Sequence, residues 1–77
     1  MKLSDQDIYR MSNLAEWKLK ELIATYKHRN IVMHEIIRMA QAQRQMATLK
    51  GNTLLANKFE DLVESVSNIQ KQLQEAE

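Results

Sequence analysis

Apolar residues recur at helical spacing along most of the chain, and the pattern is clearest in the last third. Seven apolar positions there follow one another at alternating intervals of four and three residues. A helix with this spacing presents one continuous apolar seam to the rest of the protein. The spacing predicts a helix over residues 53–76 whose seam consists of Leu55, Phe59, Leu62, Val66, Ile69, Leu73 and Ala76.

The residues that flank this seam favour a helical bundle over a two-stranded coiled coil. A two-stranded coiled coil usually carries charged pairs at the e and g positions of its heptads. Here Val63 widens the apolar stripe, and the other flanking positions are mostly uncharged: Ala56, Lys58, Ser65, Gln70, Gln72 and Glu77. The pattern therefore predicts that at least three helices pack together.

Two short motifs predict where helices begin and end. Ser4 and Asp7 have the spacing of a capping box, in which each side chain accepts a hydrogen bond from the other residue's backbone amide. The segment KGNT, residues 50–53, combines a cation, a glycine that tolerates positive φ and two polar residues. We expect the first helix to start near Asp5 and a turn to precede the helix at residue 53.

The segment YKHRN, residues 26–30, decides between two architectures. Its cations suit the negative end of a helix dipole, and its asparagine tolerates a left-handed cap. A helix end at this point gives helices over 5–28, 31–49 and 53–76, which form a three-helix bundle. The whole chain, residues 1–77, is then a single all-α domain.

The alternative is one continuous helix over 5–49, with the helix over 53–76 folding back on it and dimerisation completing the core. The continuous helix has support because the apolar residues before and after YKHRN fall on the same side of one unbroken helix, at about 100° per residue. That helix would be about 67 Å long, and Arg29 would point into its apolar face. A buried, unpaired guanidinium destabilises a fold, so we favour the break.

The composition is that of a helical protein, and its surplus of apolar residues predicts self-association. Among 77 residues there is no proline, one glycine and no cysteine, so neither helix breakers nor disulfides shape the fold. A chain of this length has a small core, yet a second apolar stripe runs beside the apolar residues that stay in phase over 5–49. We expect a homo-oligomer or a stable complex to cover part of this stripe, which comprises Leu14, Trp17, Val32, Met39 and Met46, with Ile23, Ile31 and Leu49 outside both stripes.

Charge gives only weak guidance about partners. The net charge is +1, from 11 basic and 10 acidic residues, which is too small to indicate nucleic acid by itself. Lys20, Lys27 and His34 are nevertheless spaced seven apart, with Arg38 close to the same line. They define a candidate anion or nucleic-acid stripe. No stretch approaches the roughly 20 apolar residues of a membrane span, and we expect a cytoplasmic protein without membrane partners.

The residues of catalytic or metal sites do not occur in suitable patterns. His28 and His34 are six apart, whereas two metal ligands on one side of a helix need a spacing of three or four. Glu60, Asp61 and Glu64 occupy outer positions of the last helix, where a solvated face is expected. We find no nucleophile motif and no glycine-rich phosphate loop. We therefore predict a protein that is not an enzyme and binds no metal or cofactor.

The preferred functional hypothesis is a small helical interaction factor of the adaptor, inhibitor or helper type found in bacteria and phages. It would self-associate and bind a protein partner through an apolar surface rich in Met, Ala and Trp. The residues assigned to this surface are Leu14, Trp17, Met33, Met39 and Met46. The alternatives are a binder of nucleic acid or a phosphorylated small molecule through the basic stripe, and a structural subunit of a larger assembly.

Overall fold

The computed structural model of the protein describes residues 2–75 and shows an all-α helical bundle, as predicted. Within this range four helices follow one another, and no strand occurs. Helix α1 spans Asp5–Met11, α2 spans Glu16–Ala24, α3 spans Arg29–Leu49 and α4 spans Thr53–Glu75. Ala76, the last residue of the helix predicted over 53–76, and Glu77, a flanking position, lie outside the described residues.

The helix predicted over residues 5–28 is divided into α1 and α2 and ends at Ala24. The break lies at residues 12–15, where Ser12 Oγ and Asn13 Nδ2 both donate hydrogen bonds to the carbonyl oxygen of Tyr9, at 2.6 and 3.1 Å. Short polar side chains of this kind compete with the backbone for helical acceptors. Apolar spacing alone conceals such a break because apolar residues stand on both sides of it.

The break predicted near Asn30 is confirmed, and the continuous helix over 5–49 is wrong. Helix α2 ends at Ala24 and α3 begins at Arg29. Thr25 Oγ1 donates to the carbonyl oxygen of Leu22 at 2.6 Å, and His28 has φ −113° and ψ 62°, outside the helical region. Arg29 begins α3 as a half-buried residue, so its guanidinium does not enter the middle of a long apolar face.

The capping box at the start of α1 forms as predicted. Asp7 N donates to Ser4 Oγ at 3.1 Å, and Ser4 N donates to Asp7 Oδ2 at 2.9 Å. The Ser4 amide, followed by the Ser4 hydroxyl, lowers the pKa of the Asp7 carboxyl below its usual range. The first helix therefore starts at the residue that the sequence indicates.

A glycine cap and an asparagine cap together make the turn between α3 and α4. Gly51 has φ +76°, and the amides of Gly51 and Asn52 donate to the carbonyls of Thr48 and Ala47 at 3.0 and 2.9 Å. This is the hydrogen-bond pattern of a Schellman motif. Asn52 Oδ1 then accepts from the amide of Leu55 at 3.1 Å, which caps α4.

Helices α3 and α4 form a long antiparallel hairpin, and α1 and α2 pack against one side of it. His34 meets Gln70 near the open end of the hairpin, their Nε2 atoms 3.4 Å apart. Gln43 Nε2 donates to Asp5 Oδ1 at 3.2 Å, which places the start of α1 beside the second half of α3. The bundle measures 41 × 23 × 17 Å.

The four helices close one apolar core without help from another chain. The seam predicted for α4 faces this core, with Leu55 and Leu73 half-buried at its ends. Among the described residues no polar or charged residue is buried, so packing stabilises the core without buried polar networks. Its fully buried side chains include Ile8, Leu19, Ile23, Met33, Ile36, Phe59, Val66 and Ile69.

Candidate interaction surfaces

The apolar residues that remain outside the core identify the surfaces available for recognition. Trp17 is 65% exposed and Met46 is 53% exposed, whereas Leu14 and Met39 are half-buried. Other large apolar side chains that stay exposed are Tyr9, Ile31, Leu49 and Leu54. Four of the five residues predicted for the interaction surface therefore reach solvent at least in part.

Met33 is the exception, because it is fully buried in the core. It shares one side of α3 with Ile36, Ala40 and Ala47, three, seven and fourteen residues further on. These separations return to the same side of a helix, and that side packs against α4 and the N-terminal helices. Placing Met33 on an interaction surface was wrong, and its flexible side chain fills core space instead.

Trp17 stands on the outer side of α2 because Leu19 and Ile23 turn the other side of this short helix to the core. The Lys18 ammonium lies 5.6 Å from the centre of the indole ring, which is within the range of a cation–π contact. Beside it lies a shallow apolar groove lined by Leu14, Lys18, Glu21, Leu22 and Thr25. We call Trp17 together with this groove the α2 surface.

A second surface follows the outer side of α3 along nearly its whole length. Its positions are separated by alternating intervals of four and three residues, the same spacing as the seam of α4. This spacing is visible in the sequence. It is hidden when the apolar residues of α3 are grouped into two other stripes, because Ile31 and Leu49 belong to neither. We call it the α3 outer face, and it consists of Ile31, Glu35, Arg38, Ala42, Gln45 and Leu49.

The structure divides the basic stripe between two sides of the molecule. Lys20 Nζ donates to Gln72 Oε1 at 2.9 Å, while His34 meets Gln70. Side chains two positions apart on a helix point about 200° apart, so Lys20 and His34 approach α4 from opposite sides. The break between α2 and α3 removes the seven-residue register on which the stripe depended.

Lys27, His34 and Arg38 remain near one another at the end of the bundle. Lys27 lines a depression of about 510 Å³ around residues 24–31, and His34 and Arg38 line an adjoining one. Both depressions include Ile31, which joins them. Three of the four stripe residues therefore lie around a single exposed isoleucine.

The acidic side chains and histidines of the described residues do not gather into a metal-binding group. Glu60, Asp61 and Glu64 are exposed on α4. In the part of the chain that the structure describes, no three His, Asp or Glu side chains approach one another closely enough to hold a metal ion.

Comparison with known proteins gives no assignment. The chain matches no protein-family model, and no curated protein or solved structure resembles it at a significant level. Between residues 2 and 75, none of the helices combines the length and the apolar character that crossing a bilayer requires. A functional assignment therefore rests on the geometry of the chain itself.

Proposed function

We propose that the protein is a cytoplasmic, non-enzymatic interaction module that self-associates and binds a protein partner through the α2 surface. The observation that supports this proposal most directly is the exposure of Trp17. The core is already complete without this side chain, so packing of the domain does not explain a large indole in solvent. Tryptophan is the residue most characteristic of sites that dominate protein–protein binding energy.

The surroundings of Trp17 suit a protein partner that offers an apolar pocket and opposite charges at its rim. Leu14 and Leu22 make the groove beside the indole apolar, while Lys18 and Glu21 border it with one charge of each sign. An apolar centre with a polar rim is the usual anatomy of a protein interface. A mixed rim also disfavours a polyanion, which would gain from Lys18 and lose from Glu21.

Photo-crosslinking tests this proposal in the cells that produce the protein. A photoreactive phenylalanine analogue is placed at position 17 and, as a matched control, at position 54, because Leu54 is an apolar side chain that is 74% exposed on α4. We expect a protein adduct from position 17 that is absent from position 54. Equal adducts from both positions would contradict the assignment of the α2 surface.

Binding measurements on the captured partner complete the test. We expect Trp17→Ala to weaken its affinity at least tenfold, because truncation of an interface tryptophan commonly costs about 2 kcal/mol or more. Leu54→Ala should change the affinity less than twofold. If Trp17→Ala binds as tightly as the wild type, the α2 surface is not the docking site, whatever else the partner contacts.

Anion binding is the second candidate, and the grouping of Lys27, His34 and Arg38 around Ile31 favours it. Fluorescence anisotropy with a short DNA duplex and a single-stranded RNA provides the test. Specific use of this cluster predicts affinity that falls steeply with salt and falls again in Lys27→Glu. Lys71→Glu, an exposed lysine of α4, is the control. Absence of binding at low salt would remove this candidate.

A further inference from the structure

We propose that the α3 outer face pairs with the same face of a second copy of the chain, in an antiparallel dimer with twofold symmetry. This inference deepens the self-association in the proposed function and identifies the surface that mediates it. It uses a helix other than the one that carries Trp17, so the two docking events are separable. The spacing, exposure and charge of residues 31–49 support this pairing.

The α3 outer face is complementary to itself when its direction is reversed. Its six positions, 31, 35, 38, 42, 45 and 49, are symmetric about residue 40. In an antiparallel pair with the twofold axis at the level of Ala40, position 31 lies opposite 49, 35 opposite 45 and 38 opposite 42. A twofold interface requires this reciprocity, in which residue i meets j and j meets i.

The two ends of the paired face are apolar. Ile31 is 66% exposed and Leu49 is 76% exposed, and the antiparallel pairing places each against the other in the second copy. Val32 and Met39, on the adjacent flank of α3, pack toward the core instead. Each copy thus supplies one half of two apolar clusters.

The centre of the face allows the helices to approach closely, and the two Arg38 side chains lie about 6 Å apart along the helix axes rather than directly opposite each other. Ala42 is small and exposed, so the aliphatic part of Arg38 of the second copy can lie over it. Glu35 lies opposite Gln45, whose amide can donate to the carboxylate. No two charges of the same sign oppose each other across the six positions of the seam.

Charge also selects the antiparallel arrangement over the parallel one. In a parallel pair each residue of the seam would face its own copy, so Glu35 would oppose Glu35 and Arg38 would oppose Arg38. Like charges directly opposite each other destabilise an interface. The antiparallel pair replaces both repulsions by contacts with Gln45 and Ala42.

The length of the face sets the strength that we expect. Residues 31–49 span about 27 Å along the helix axis at 1.5 Å per residue. A single pair of helices of this length lies at the small end of specific interfaces. We therefore expect a reversible dimer that dissociates on dilution.

Sedimentation velocity across a concentration series tests the dimer with the full chain. The wild type should change from a species of 9.0 kDa to one of twice that mass. Ile31→Glu and Leu49→Glu should each raise the dissociation constant at least tenfold, with unchanged circular dichroism because both sites are exposed. Leu54→Glu, at an equally exposed leucine outside the face, should leave the constant within twofold. A wild type that stays monomeric to several hundred micromolar, or equal effects of all three variants, would overturn the proposal.

Disulfide trapping tests the direction of the pair, because the natural chain contains no cysteine. A mixture of the I31C and L49C variants should form a mixed disulfide dimer on mild oxidation. I31C alone should not, since its two thiols would lie at opposite ends of the interface. Efficient dimerisation of I31C alone would indicate a parallel pair and overturn the proposed geometry.

The outcomes for the two surfaces are distinguishable. Loss of the dimer in Ile31→Glu with normal partner binding supports the α3 outer face as the dimer interface. The role of the α2 surface in partner binding is then tested separately with Trp17→Ala. Loss of the dimer in Trp17→Ala, with Ile31→Glu still dimeric, would place self-association on α2 and overturn the present inference.

Discussion

Lys20 and Gln72 join α2 to the last part of α4, with 2.9 Å between Lys20 Nζ and Gln72 Oε1. Glu16 reaches the same flank of α4, where it accepts hydrogen bonds from Asn68 and Gln72 at 3.3 and 3.4 Å. Glu16 and Lys20 are four residues apart, as are Asn68 and Gln72, so α2 runs parallel to α4. This alignment turns Trp17 away from the core and creates the α2 surface.

Apolar packing, rather than these polar contacts, should hold α2 in place. Leu19 is fully buried under α2, and Leu19→Ala should lower the free energy of unfolding by about 2–5 kcal/mol. Lys20→Ala removes only an exposed hydrogen bond, and we expect a change within about 0.5 kcal/mol. Urea denaturation followed by circular dichroism measures both. Comparable losses in the two variants would show that the polar contacts matter as much as the core.

The turn between α3 and α4 should depend on the backbone conformation of Gly51 and not on space around it. A Cβ atom at this position would meet nothing within 4 Å, but φ of +76° is unfavourable for residues with a side chain. Gly51→Ala should therefore lower stability by about 1–2 kcal/mol. Gly51→Asn should lose clearly less, because asparagine tolerates this region. Thermal denaturation that ranks asparagine below alanine would contradict the assignment.

The capping box predicts a contribution to stability that disappears in acid. The folded protein lowers the pKa of Asp7, so the folded state binds this proton less readily than the unfolded state. The contribution is therefore complete above the unfolded pKa and is lost as the pH falls through the folded pKa.

Ser4→Ala provides the measurement for Asp7, because it removes the serine hydroxyl of the capping box. The pKa of the Asp7 carboxyl, followed by NMR, should rise toward its ordinary value. Ser67→Ala, an exposed serine of α4, should leave it in place. An unchanged pKa in Ser4→Ala would show that the Ser4 hydroxyl does not lower the pKa of Asp7 in solution.

The fluorescence of Trp17 separates the two proposed surfaces in a single sample, because Trp17 is the only tryptophan. Its exposed indole should be quenched efficiently by acrylamide in the monomer. The quenching constant should stay the same at concentrations where the dimer forms, since α3 rather than α2 makes that contact. It should fall when the protein partner binds. A decrease on dimerisation alone would place Trp17 in the dimer interface.

Several local features of the fold follow from the sequence because they depend on neighbours within one or two helical turns. The capping box of Ser4 and Asp7 marks the start of α1. The spacing from Leu55 to Leu73 fixes which side of α4 is buried. Gly51 ends α3 because only a residue without a side chain adopts its φ at little cost.

The break at residues 12–15 lay beyond the sequence prediction for a physical reason. It uses neither proline nor glycine, and Ile8, Met11 and Leu14 continue an apolar pattern across it. Ser12 and Asn13 interrupt the helix by donating hydrogen bonds to the carbonyl oxygen of Tyr9. Short polar residues do not make such hydrogen bonds in every helix. Here the break is favoured because it lets α2 pack along α4.

The sequence by itself determined that the chain is helical, where most helices begin and end, and that apolar surface is in excess. The tertiary structure decided which apolar residues that surface contains: Met33 enters the core, while Trp17 and Met46 remain outside. It also moved Lys20 away from the other members of the basic stripe. The physical reason is that each turn between helices rotates the next helix about its axis. Local sequence specifies the faces of a helix, and only contacts between distant segments choose which of them is buried.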